Sequence, residues 1–356
     1  ALVPFFSQTG NAPDRHDTQR IALRCARQVG DRVAEANILV DLGITCRRLG
    51  RLKEACEHTD GALAIAQDLN DVNAQARALH SLAMVHLSEG GLHRAEQYLH
   101  NALVLFRATN DRQHEGLTLA DLAVVYEHTR RTNEALRAIR QALAIMRQHG
   151  PSVHLGHAHG RLASQYLRIG RNAEAQEHLE HALRIARNVG DHVGNVYALL
   201  GLGVTHLKVS QPHDARGYFE QVLDTIGTTG TGLQLGLAEA QALNGLGAAQ
   251  SQIGNHTDAI TLHNKALSAV DKYGHRAARV TILNDLAETY IGADRHTAAT
   301  TTYREALALA HKIGLLHEET RARSGLAHAL AILGQHATSP TEPNSHNRVE
   351  GIAFPR

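Results

Sequence analysis

Cysteine, proline and aromatic residues are scarce in this 356-residue chain, and tryptophan is absent. The three cysteines, Cys25, Cys46 and Cys56, are an odd number without paired spacing. That argues against a disulfide framework and fits a reducing cytoplasm. Between residues 14 and 338 the only prolines are Pro151 and Pro212, so long helices can run without interruption. Aromatic residues are 4% of the chain, which disfavours large ring-lined pockets. No apolar run reaches the length of a membrane-spanning helix, and no membrane partner is expected. A formal net charge of +1 supplies no global attraction for nucleic acid, and no direct nucleic-acid contact is expected either. The opening Ala1-Leu-Val-Pro-Phe-Phe lacks the basic start of a signal peptide and lacks Met, so either the initiator was removed or the chain is part of a longer one. There is no G-x-x-x-x-G-K-[ST], G-x-S-x-G, H-E-x-x-H or C-x-x-C. Neither catalysis nor a bound cofactor is expected.

What the chain does contain is a period of forty residues. Blocks start at Asp31, Asp71, Asp111, Pro151 and Asp191, and resume at Leu235, His275 and Leu315 after a four-residue insertion at 231–234. Position 12 of each block is Leu, from Leu42 to Leu326. Position 13 is Gly or Ala, position 25 is Ala from Ala55 to Ala299, and position 33 is Leu. Leu at 9 and 12 has helical spacing, so the first half of each block is an amphipathic helix A. Small residues at 13 and 25 let two helix backbones approach, and Ala-Leu at 32–33 continues the buried stripe of a helix B. Position 40 is Asn70, Asn110, Gly150, Gly190, Gly230, Gly274 and Gly314, residues that tolerate the left-handed φ of a helix C-terminus. Asp at position 1 can cap the next helix. A second stop falls near position 20, at Gly50, Gly90, Gly170, Gly254 and Gly334. Arg130, Ser210 and Asp294 stand there in the other blocks, which predicts turns of another type or strained ones.

These columns predict an all-α, right-handed α-solenoid with a 40-residue repeat, whose stacked helix pairs create a concave inner face. Residues 1–30 form a leading partial repeat. Residues 31–334 form seven full repeats and a final helix A, and 335–356 a flexible tail that includes Ser339-Pro-Thr-Glu-Pro-Asn-Ser. Leu-Gly/Ala at 12–13, Tyr at 16 (Tyr126, Tyr166, Tyr290), Ala at 25 and Ala at 32 resemble the tetratricopeptide signature. The longer period and the missing late proline depart from the common form. Residues 22–56, 116–136 and 182–194 are similar in wording to the C-terminal repeats of SARP/AfsR-type regulators of actinomycetes, which are STAND-class proteins. That resemblance implies a sensor domain following a DNA-binding module and an NB-ARC ATPase, in a transcriptional activator of secondary metabolism. Its partner would be a protein, a peptide or another domain of the parent chain. The alternative is a stand-alone adaptor or a receptor for signalling peptides.

In tetratricopeptide grooves ligands meet helix A at positions 7, 10, 11, 14, 17 and 18. In the first blocks these positions hold Arg47, Arg77, His80, Asp121, Glu127, His157, Arg161 and Arg168. Later blocks contribute Tyr197, Asn244, Asn284, Asp285, Glu288 and Arg321. Arg161 and Arg168 lie two turns apart on one face. With Arg77 and His80 they form a candidate anion site for a carboxylate or an acidic peptide. Asn244, Asn284 and Asp285 are candidates for holding a peptide backbone. The alternative for the whole set is an inner face that is simply charged and solvated. The 26 histidines are mostly on exposed helix B positions. His154 and His157 could share a helix face, but with no acidic or Cys ligand nearby no metal site is expected. His159 falls in a column of Leu and is expected in the core. Gly227, Gly230 and Gly232 make 226–233 either a hinge or a longer surface loop.

Overall fold

A computed structural model describes residues 12–229, 233–273 and 275–338 of the chain. The described residues form sixteen α-helices and one 3-10 turn, with no strand. They are α1 Ala12–Val29, α2 Arg32–Arg48, α3 Leu52–Asp68, α4 Val72–Ser88, α5 Leu92–Ala108, α6 Arg112–His128, α7 Thr132–Met146 and α8 Val153–Arg168. There follow α9 Asn172–Val189, α10 His192–Lys208, α11 Pro212–Thr229, α12 Leu233–Ile253, α13 His256–Tyr273, α14 Arg276–Gly292, α15 His296–Ile313 and α16 Leu316–Thr338. The chain divides into two compact units, Ala1–Gly201 and Leu202–Arg356. In the first, α2 pairs with α3, α4 with α5, α6 with α7 and α8 with α9. In the second, α12 pairs with α13, α14 with α15, and α16 packs on both α14 and α15. The division falls inside α10, not at residues 226–233, for which hinge and loop were both open. There α11 ends at Thr229 and α12 begins at Leu233, so part of the insertion extends a helix; residues 230–232 lie outside the described residues.

Local chemistry sets the helix ends. The side chains of Asp31 and Asp71 accept from the backbone N–H of Ala34 and Ala74, each at 2.9 Å. Asp111 does so from His114 at 3.1 Å, and Asp191 from Gly194 at 2.9 Å. Where Pro151 replaces Asp, the cap moves one residue on, to Ser152. Each such cap stabilises its helix by about 1 kcal/mol. At the other ends Asn70, Asn110, Gly150, Gly190 and Gly314 take positive φ as expected. The turns at Arg130, Ser210 and Asp294 are of the same type as the glycine turns. Their φ values are 60°, 58° and 57°, and Arg131 N–H donates to the Tyr126 carbonyl as Arg51 N–H donates to that of Cys46. They are therefore strained turns, each costing about 1 kcal/mol relative to glycine. Gly334 does not end α16, which continues to Thr338. The rest of the expected tail lies outside the described residues, as does the opening Ala1–Phe6.

The packing explains the conserved spacing of small residues within the chain. Ala at position 25 is fully buried in all seven blocks, and every position-12 Leu from Leu42 to Leu286 is buried. A Cβ on Gly43 would lie 2.5 Å from the Thr59 hydroxyl and 3.3 Å from the Ala55 carbonyl. Position 29 supplies a rule the columns did not reveal. Where it is aromatic, a glycine faces it from position 13 of the same block or position 11 of the next, and Leu179 meets one in the same way. Phe219 packs on Gly203 and Gly245, His263 on Gly247, Tyr303 on Gly325, and Leu179 on Gly201, with room for no side chain at any of these glycines. None of the described helices is long and apolar enough to cross a membrane.

Candidate functional site

In the first unit the A helices α2, α4, α6 and α8 line a cavity of about 400 Å³. Six residues expected on the ligand-binding face reach it: Arg47, Arg77, His80, Asp121, His157 and Arg161. Asp41, His114 and His154, which the expected set lacked, join them. Asp41 occupies position 11, the same column as Asp121, and so was within reach of the repeat pattern. His114 sits at position 4, outside the columns that face ligands in this class of repeat.

The charges in the cavity are partly matched. The His80 Nε2 lies 2.9 Å from an Asp121 carboxylate oxygen. Arg77 donates to the side chain of Asn37, while its Nε is buried without an acceptor in the protein. Burial pushes the Asp41 carboxyl up, against the pull of Arg15 and Arg77. Burial, with Arg48 beside it, pushes the Arg47 guanidinium down. The same two causes, burial and a cationic neighbour (here His157), push His154 down. Glu127 lies on the α6 face toward α8. Burial pushes its carboxyl up, opposed by Arg161, by a hydrogen bond with Gln165 and by Arg168. Three guanidinium groups and two carboxyl groups thus line one small volume, a composition that suits an anion.

His157 and Arg161 also line a second cavity of about 360 Å³. Gly156, Gly160, Leu179, Ala182, Ala186, Ala198 and Tyr197 give it small apolar walls. His157 Nε2 is 3.0 Å from the carboxylate of Asp191, the residue that caps α10. Arg168 is exposed and lines neither cavity. His159 is in the core as expected, stacked on His181 with its Nδ1 2.9 Å from that of His178. Burial, with His178 and His181 alongside, lowers its pKa to about 3.

In the second unit two of the expected backbone-holding residues bond each other, and the third bonds elsewhere in the protein. Asn244 donates to Asp285 at 2.5 Å and accepts from His263 at 2.8 Å. Asp285 receives Arg321 at 2.5 Å, and Arg321 also reaches Glu288 at 2.8 Å. Asn284 does not face a ligand as expected. It is fully buried and donates to the side chain of Glu318 at 2.8 Å and to its carbonyl at 3.2 Å. The helical spacing that put Asn284 on the inner face places it against the start of α16, where its amide nitrogen finds two acceptors on Glu318.

Stacked helix pairs with small residues at the crossings, left-handed turns at fixed intervals and polar residues gathered on the A helices define an α-solenoid used as a binding scaffold. Residues 34–99, 74–148, 155–225 and 238–312 match the tetratricopeptide repeat family, and the chain belongs to it. No curated protein sequence matches the chain. Among solved structures it is similar to the apo form of RapI, at a TM-score of 0.66 and 16% identity, covering 79% of this chain and 99% of that one. It is also similar to a Rap protein complexed with competence and sporulation factor, at 0.54 and 13%, covering 92% and 99%. A third similarity is to a STAND signal transduction ATPase with a tetratricopeptide repeat sensor from Pyrococcus horikoshii. There the TM-score is 0.57 and the identity 14%, covering 88% of this chain and 52% of that one.

Proposed function

We propose that this chain is the sensor domain of a SARP/AfsR-like, STAND-class transcriptional activator, and that the first unit binds its effector, an acidic peptide or other carboxylate. The observation that carries the reading is the convergence of Arg47, Arg77 and Arg161, from three different helices, on one cavity. The adjoining apolar cavity suits a small apolar side chain next to the ligand's acidic group. The wording of residues 22–56 and 182–194, and the fold shared with the repeat sensor of a STAND ATPase, support the larger architecture. The site involves Arg77, His80, Asp121, His157, Arg161 and Tyr197, with Glu127 and Arg168 tuning the charge beside it.

Thermal-shift screening of the full chain against peptides with a free C-terminal carboxylate tests this, followed by titration of a hit against Arg77→Ala and Arg161→Ala. Loss of one charge-assisted hydrogen bond weakens binding about 10- to 100-fold. Wild-type affinity in both variants rejects the cavity as the site. A second reading, a stand-alone receptor for a signalling peptide, draws support from the match over nearly the whole length of RapI. The coding sequence upstream of Ala1 separates the two, because the sensor reading requires an ATPase module there.

A further inference from the structure

In the first unit, helices α1, α2 and α3 bring three different metal-binding side chains together outside the residues that line these cavities. One ligand atom each of His16, Cys46 and Glu54 lies within 4.8 Å of the other two. Among the described residues this is the one place where three such donors converge. His16 and Cys46 are buried, at 7% and 0% exposure, while Glu54 opens to solvent. We propose that His16, Cys46 and Glu54 form a zinc site that clips the leading helix α1 to the first full helix pair.

The donor chemistry selects the ion. A thiolate with an imidazole and a carboxylate suits Zn²⁺, whereas Mg²⁺ and Ca²⁺ take oxygen donors. One thiolate and one carboxylate balance the charge of a divalent ion. The site also gives a reason for burying His16. An imidazole inside a helix interface costs stability unless its nitrogens are engaged, and the one carboxylate contact His16 makes, to the exposed Asp17, is long at 3.4 Å. Cys46 packs with Ala55 and Val85, which hold its side chain in place. The fourth coordination position falls to water, on the side where Glu54 opens to solvent. Arg51, 4.0 Å from Glu54, competes for the carboxylate at the solvent edge and would have to give way when the ion binds. The motif is not readable as a sequence pattern, because its members lie thirty and eight residues apart on separate helices.

Because the chain carries 26 histidines, metal binding alone is a poor readout. Thiolate coordination is specific. Reduced full-length protein is titrated with Co²⁺ and its absorption spectrum followed. The expected result is a single equivalent with the near-ultraviolet thiolate-to-cobalt band and the intense visible bands of a tetrahedral site, displaced by Zn²⁺. Cys46→Ser removes the thiolate band, while Cys25→Ser and Cys56→Ser keep it. Glu54→Gln, a change at an exposed position that leaves the fold intact, weakens Zn²⁺ binding by roughly 100-fold or more. Absence of the thiolate band in the wild-type protein overturns the proposal, as does its persistence in Cys46→Ser or an unchanged Zn²⁺ affinity in Glu54→Gln.

Discussion

The two units use the same repeat columns to opposite ends. In both, a position-11 aspartate meets the position-10 residue of the preceding block: His80 with Asp121 in the first unit, Asn244 with Asp285 in the second. They part at position 7 of the following block. In the second unit that residue is Arg321, which closes on Asp285 and links it to Glu288. In the first it is His157, which turns to Asp191 at the cap of α10. A second such pairing in the first unit is left looser still. Arg77 bonds Asn37 and acts on Asp41 only through its charge. One substitution pattern yields a closed internal network, and the other a cavity in which charged groups have capacity to spare. The lesson is that a polar residue on the A-helix face signals a ligand site only when the neighbouring repeats leave it underused.

The sharpest way to break this contrast is to remove the arginine from each unit. Arg321→Ala strands Asp285 among buried neighbours. Burial already pushes that carboxyl up, against Arg321 and a hydrogen bond from Asn244. The two side chains are half-buried, at 28% and 18% exposure, so losing the arginine costs about 1–3 kcal/mol and the urea midpoint for the second unit falls. Arg77→Ala costs about 1 kcal/mol or less in the same measurement, as expected for a group held by one hydrogen bond. Equal losses in the two variants would mean the units do not differ as described.

The buried histidines give each unit its own acid sensitivity. Burial lowers His159 to about 3 in the first unit and His263 to about 4 in the second, with Glu288 opposing the latter. Both folded-state values lie below the unfolded value near 6.5, so the unfolded chain binds the extra proton first. Stability is therefore complete above pH ~6.5 and declines as pH falls toward the folded values, by about 1.4 kcal/mol per pH unit for each histidine. His159→Leu, which restores the Leu of its column, flattens that slope by one proton in urea titrations between pH 7 and 4. An unaltered slope would show that His159 is not held neutral by its surroundings.

The smallest effect concerns the strained turns. Arg130→Gly in the first unit and Ser210→Gly or Asp294→Gly in the second relieve a left-handed φ, and each stabilises by about 0.5–1 kcal/mol in thermal unfolding. A neutral or destabilising outcome at all three would place the turn's cost in the unfolded chain instead.

Much of the fold was legible in the chain because it is written in local terms. Asp31, Asp71, Asp111 and Asp191 cap the helices they precede, and Asn70 and Asn110 turn left-handed where the period called for it. The core columns at 12 and 25 follow from a 3.6-residue helix repeated every forty residues. The candidate site was legible in part. Arg77, His80, Asp121, His157 and Arg161 converge as the columns implied, yet Asn284 sits in the same columns and is buried. The difference is set across helices, by how a neighbouring helix end fills the space, and no spacing within one repeat records it.

The sequence by itself thus determined the repeat, the helix limits, the small residues at the crossings and the family, because turn chemistry and helical periodicity act over a few residues. Only the tertiary structure decided which aspartates are neutralised, which arginines share a cavity, which glycines make room for Phe219 and Tyr303, and that His16, Cys46 and Glu54 meet. Those outcomes depend on side chains from separate helices arriving within a few ångströms of one another. That proximity is a property of packed helices, and the order of residues along the chain does not contain it.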